Sequence, residues 1–156
     1  MKRILSVLLV ALMLVGMLPM NALHAHAAEE SATLELNDSA NRTTFTTSQQ
    51  IWTQNGITLT NNKASSSNNV ANYTPPRFYA KSELIIQCEL GNITKIEFLC
   101  SSSSYATALV NSATGAGATA TASSSTVTIT PATASNTFTI SSMTASLQYF
   151  KSISKA

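Results

Sequence analysis

With 156 residues, 10% charged side chains and a formal net charge of +2, the chain is long enough for one domain with its own core. It lacks the clustered basic charge that nucleic-acid binding needs. Both histidines, His24 and His26, fall before residue 28, so chemistry with a histidine base is excluded once that segment is removed.

Lys2 and Arg3 precede an apolar run from Ile4 to Leu18, and Ala25-His26-Ala27 forms a small-x-small site. This is the layout of a secretory signal peptide, residues 1–27, cut before Ala28. The run is shorter than the roughly twenty residues a membrane span needs. Pro19 and the AxA pattern favour cleavage over a retained anchor, and no lipobox cysteine follows. The expected mature form, residues 28–156, is a single secreted domain. Its basic residues are Arg42, Lys63, Arg77, Lys81, Lys95, Lys151 and Lys155. They are balanced by Glu29, Glu30, Glu35, Asp38, Glu83, Glu89 and Glu97, so the net positive charge belongs to the signal peptide.

Beyond the signal peptide, Thr and apolar residues alternate. "TLEL" (33–36) is a first short strand. "SQQIWTQNG" leads Trp52 into a turn at Asn55-Gly56, and "GITLT" (56–60) aligns Ile57 with Leu59. A long polar stretch, Asn61 to Asn72, follows and ends in "YTPPRFYA"; it is too long for a hairpin turn and reads as a tethered surface loop. In "RFYA", alternation sends Phe78 inward and Arg77 and Tyr79 outward. "SELIIQCEL" (82–90) and "ITKIEFLC" (93–100) each carry an apolar face, and Gly91-Asn92 between them suggests a hairpin. "SSSSYATALVNSATG" spaces Tyr105, Ala108, Leu109 and Ser112 helically, which predicts one short helix near 105–112 or a pair of turns. "ATATASSSTVTIT" is a hairpin, "NTFTIS" (136–141) another strand, and "SLQYFKSISK" the last. Many short antiparallel strands with one minor helix predict an all-β sandwich of jelly-roll-like form.

Cys88 and Cys100 lie in an exported chain, where an even count suggests a disulfide. A tight hairpin at Gly91-Asn92 would instead hold them too far apart along the strands, as two buried thiols. Strands in different sheets would make a bridge natural again.

Catalysis finds little support. Glu89, Glu97 and Lys95 read as a solvated charge network rather than a carboxylate pair. Phosphate-binding loops, dinucleotide fingerprints and calcium loops are absent from the sequence, and Asp38 with nearby amides is the only calcium candidate. Neither a metal nor a cofactor is expected. Recognition by aromatic and amide side chains remains. The candidate ligand-binding residues are Trp52, Asn68, Asn69, Asn72, Tyr73, Arg77 and Tyr79. Trp52 has two readings, a buried anchor, which is favoured, or an exposed stacking platform. Arg77 has two as well, a patch with Tyr79 or a counter-charge to Glu83 or Asp38.

The pieces "SQQIW", "NGIT", "NNKASSSNNVANY", "PPRFY" and "ITKIEFLCSSSSYATAL" resemble the β-sandwich accessory modules of large secreted proteins from anaerobic gut-type bacteria. Such modules stand beside bacterial Ig-like domains, dockerins, lamin-tail domains or extracellular hydrolases and nucleases. The resemblance spans about Ser31 to Ile153. It implies a non-catalytic role in carbohydrate or surface binding and supplies no binding residues. The chain departs from that setting by carrying the module alone, as a stand-alone or shortened form. The expected partner is a polysaccharide or surface glycan, with no nucleic acid and no membrane after cleavage. The alternative is a self-associating structural or adhesive surface protein, because no charge lies between Leu99 and Tyr149 and uncharged strand edges pair readily.

Overall fold

The computed structural model describes residues 30–70, 74–148 and 150–155. Alternation of Thr with Ile, Leu, Val or Phe gives each strand one apolar and one polar face, and two such faces close on each other. One sheet has the order β1 (Ala32–Glu35), β12 (Phe150–Lys155), β7 (Ile96–Cys100), β9 (Thr126–Thr130) and β8 (Thr119–Ser123). The other runs β10 (Thr137–Ile140), β6 (Glu83–Cys88), β4 (Ile57–Asn62), β3 (Gln49–Gln54) and β2 (Arg42–Phe45). A small third sheet joins β5 (Arg77–Phe78) to β11 (Leu147–Gln148). All the pairings are antiparallel, and the chain passes repeatedly between the two large sheets. The fold is thus an all-β antiparallel sandwich with one helix.

The core lies between the sheets. Leu34, Trp52, Ile57, Leu59, Leu84, Ile86, Ile96, Phe98, Val127 and Ile129 are all buried in one cluster. Asn55 and Gly56, with φ of 51° and 73°, form the two-residue turn that closes β3 onto β4. A Cβ at Gly56 would crowd only the exposed Leu90 side chain, at 3.0 Å, so it is the positive φ that favours glycine there.

The helix α1 spans Ser103–Gly115, longer than the periodicity of 105–112 indicates. Ser102 caps its start by accepting from the Tyr105 amide. At its end the amides of Gly117 and Ala118 donate to Thr114 and Ala113, with Gly117 at φ 83°. This paired closure adds a turn that apolar spacing does not reveal. Ala106, Leu109 and Ala113 seat the helix in the core, where it contacts β8, β9 and β10. No helix among the described residues is long and apolar enough to cross a membrane.

The expected Gly91-Asn92 hairpin does not form. β6 and β7 belong to different sheets, and the segment between them is a crossover. The cause is Ile93, which is fully buried and donates its amide to the Ser135 carbonyl, drawing the chain away from β6. Cys88 and Cys100 therefore face the core from opposite sheets. Both remain free thiols, although separate sheets had favoured a bridge. The closing segment also divides in two, β11 and β12, and Tyr149 lies outside the described residues.

Two outcomes follow for stability. Trp52 is the largest buried side chain, so Trp52→Ala should cost about 3–5 kcal/mol in a urea titration. Burial pushes the Cys100 thiol from 9.0 up to about 12. Above pH 9 the thiol ionises in the unfolded chain but stays protonated in the folded one, so its contribution to stability falls as pH rises towards 12. Cys100→Ala should flatten that decline in denaturation curves, and a reductant should leave the melting temperature unchanged.

Candidate functional site

The two sheets are not in full overlap. β1 ends its sheet and packs over β3 and β4, which leaves β2 projecting beyond it. The inward side of β2 therefore forms a ledge that the opposite sheet does not cover. An irregularity in the β2–β3 register between Arg42 and Thr44 sets the ledge side chains. Arg42 stands opposite Trp52 and Phe45 opposite Gln50, and both partners point inward. The bulge thus brings Arg42 and Phe45, three residues apart, onto one face. The Arg42 guanidinium lies 4.5 Å from the Phe45 ring centroid and 5.7 Å from that of Trp52. Phe45 is 52% exposed, the most exposed of the large apolar side chains described.

The polar stretch after β4 runs beside this ledge. The Lys63 amide donates to the Ser48 carbonyl, and the Val70 amide donates to the Thr47 carbonyl. Both acceptors lie in the turn directly after Phe45. Val70 and Ser66 are buried, so the loop is fastened by its own side chains. Lys63 Nζ donates to Asn69 Oδ1 at 3.0 Å, and Asn68 is exposed. On the far side of the loop, Arg42 donates to Thr74 Oγ1 at 2.9 Å.

Beneath the loop, the inner face of β3 and β4 turns polar. Gln50 and Asn61 are cross-strand partners and both are fully buried. Asn61 Nδ2 donates to the Arg77 carbonyl at 2.9 Å, which ties the loop's exit to β4. Asn61 Oδ1 and the Trp52 indole Nε1 are buried with no hydrogen-bond partner among the described residues. Outside this layer, Asn62 bridges Gln49 and Glu83 at 2.9 and 2.8 Å.

The sequence-derived residues divide accordingly. Asn68 and Asn69 are on the loop beside the ledge. Trp52 is the buried floor and presents no stacking face to solvent, because the sheet pairing turns it inward. That corrects its inclusion as a surface ligand contact and agrees with the anchor reading. Arg77 and Tyr79 are half-buried around the fully buried Phe78. Asn72 and Tyr73 lie outside the described residues. Asp38 is occupied as a cap, accepting from the Ala40 amide at 2.9 Å, and no group of metal-ligating side chains occurs among the described residues. Lys95 and Glu97 form an exposed ion pair at 3.4 Å.

Sequence reasoning missed Arg42 and Phe45 as site residues. "NRTTFTT" alternates weakly, and an aromatic in a strand is first a core candidate. The available signal was Arg42 three residues before Phe45, a spacing that shares a face only across a bulge.

Asn61→Ala removes the side-chain donor that holds the part-buried Arg77 carbonyl. It should cost about 1–3 kcal/mol and make the loop over residues 63–70 the first site of proteolytic cleavage. Limited proteolysis with mass spectrometry reads this directly, and Asn68→Ala should leave the pattern unchanged.

A scan against protein-family models matches none, and searches of curated proteins and of solved structures return no match.

Proposed function

We propose that this chain is a secreted, non-catalytic binding module and that its ledge takes a polysaccharide. The observation that carries the reading is Phe45, half exposed, with a guanidinium against its ring on a face the opposite sheet leaves open. A sugar ring presents one apolar face of C–H groups and a rim of hydroxyls. The aromatic ring suits the first, and planar amides and guanidinium suit the second. Asn68, Asn69, Lys63 and Arg42 supply those polar groups around one aromatic. Because the loop is already fastened to the turn at 46–48, little ordering is left for the moment of binding. Export rests on the signal-peptide layout of residues 1–27.

Affinity electrophoresis against a polysaccharide panel tests the binding. At least one polymer should retard the protein, and Phe45→Ala should weaken that retardation about tenfold, near the upper worth of an aromatic contact. The paired Asn68→Ala and Asn69→Ala change should weaken it further. Phe45 is exposed, so its removal should change stability by no more than about 0.5 kcal/mol. Retardation by no polymer, or retardation untouched by Phe45→Ala, would sink the reading. Export is checked by the mass of protein recovered from culture medium, which should begin at Ala28.

A further inference from the structure

Two sheets of five strands have four outer edges, and this chain treats them unequally. The β1 edge is occupied. Asn55 Nδ2 donates to the Thr33 carbonyl at 2.9 Å, Gln54 Oε1 accepts from the Glu35 amide at 2.7 Å, and Asn41 Nδ2 donates to the Glu35 carbonyl at 2.9 Å. The β2 edge is broken by its bulge and carries Arg42. The β10 edge is four residues long, and the end of the helix at Ala116 and Gly117 lies beside it across a cavity of about 260 Å³. These are the usual devices that stop an edge from acquiring another strand.

The helix contacts β8 as well, but it leaves every β8 side chain except the half-buried Ala120 exposed, and this edge has neither bulge nor charge. Its register with β9 is unbroken over Thr119–Ser123. It contains no charge and no proline, and the nearest charged residues in sequence are Glu97 and Lys151. The turn to β9 has two residues, Ser124 and Ser125, which makes Ser123 and Thr126 a hydrogen-bonded pair. By alternation Thr121 and Thr119 also bond to β9. The backbone groups of Ala120 and Ala122 then point outward.

The strand also reads nearly alike in both directions, as Thr-Ala-Thr-Ala-Ser. We propose that β8 is a homodimerisation edge, where a second copy of the chain pairs antiparallel about a two-fold axis at Thr121. This register sets Ala120 against Ala122 of the second copy, so the outward backbone groups exchange hydrogen bonds. Thr121 meets its own counterpart in the closer, non-hydrogen-bonded position, and Thr119 meets Ser123. Like is matched to like, as an isologous contact requires, and Thr–Thr pairs across strands are favourable. Two five-stranded sheets become one continuous sheet through the pair.

Sedimentation velocity over a concentration series tests this on the purified protein. The expected result is a monomer–dimer equilibrium. Thr121→Lys should raise the dimer dissociation constant more than tenfold by placing two like charges on the axis. Ala122→Pro removes an outward amide without touching the β9 pairing and should do the same. Thr121→Cys should give a disulfide-linked dimer under mild oxidation, whereas Thr119→Cys should not. Thr139→Lys on β10 and Phe45→Ala on the ledge should leave the dimer intact, so this edge and the glycan reading fail separately. A monomer at millimolar concentration, a dimer indifferent to both β8 variants, or equal cross-linking at 119 and 121 would each overturn the proposal.

Discussion

One hydrogen bond decides what the far end of this sandwich looks like. Asn61 is the last inward residue of β4, after Ile57 and Leu59, and it is fully buried. Its amide holds the Arg77 carbonyl and so returns the chain to the sheet after the long polar stretch that begins at Lys63. A leucine there would continue the apolar face but offer that carbonyl nothing. With the return fixed, Phe78 enters the core and β5 is placed for β11. Val70 is held under the loop, and Thr74 stands within reach of Arg42. The ledge exists because that polar contact substitutes for sheet-on-sheet packing where the opposite sheet has ended.

The remainder of the core is held by shape rather than by charge. Its inner faces are built from Ile, Leu, Val and small residues, with Trp52 and three phenylalanines, Phe78, Phe98 and Phe138, as the large fillers. The ion pair between Lys95 and Glu97 is exposed and contributes little. The two thiols behave as small apolar groups rather than as a staple. Such a core tolerates a variable polar surface, because no surface charge is needed to define it.

The period-two pattern made most of the strands legible. Thr126–Thr130 and Thr137–Ile140 stand where alternating Thr and apolar residues place them, and the Ser102 cap is visible ahead of the helix. What the pattern cannot carry is which strands pair. Gly91-Asn92 has turn chemistry suited to a hairpin, yet the burial of Ile93 decides the path instead. Tertiary burial outweighed a local turn preference there. β2 was harder still, because its bulge breaks alternation at the place that forms the site. Of the candidate site, the amide-rich loop was legible in sequence, whereas its aromatic partner depends on where the opposite sheet stops. No local pattern encodes that overhang.

The way the loop is fastened has a consequence for its tip. Lys63, Ser66 and Val70 take the anchoring contacts, while Ser67, Asn68 and Asn69 project between Ser66 and Val70. Those three positions are insulated from the core: their side chains can change in shape and chemistry while the anchors keep the same backbone path. The tip is therefore an exchangeable cassette on a constant frame. Selection, or a designer's library, could alter what the loop presents beside the ledge without renegotiating how the sandwich folds.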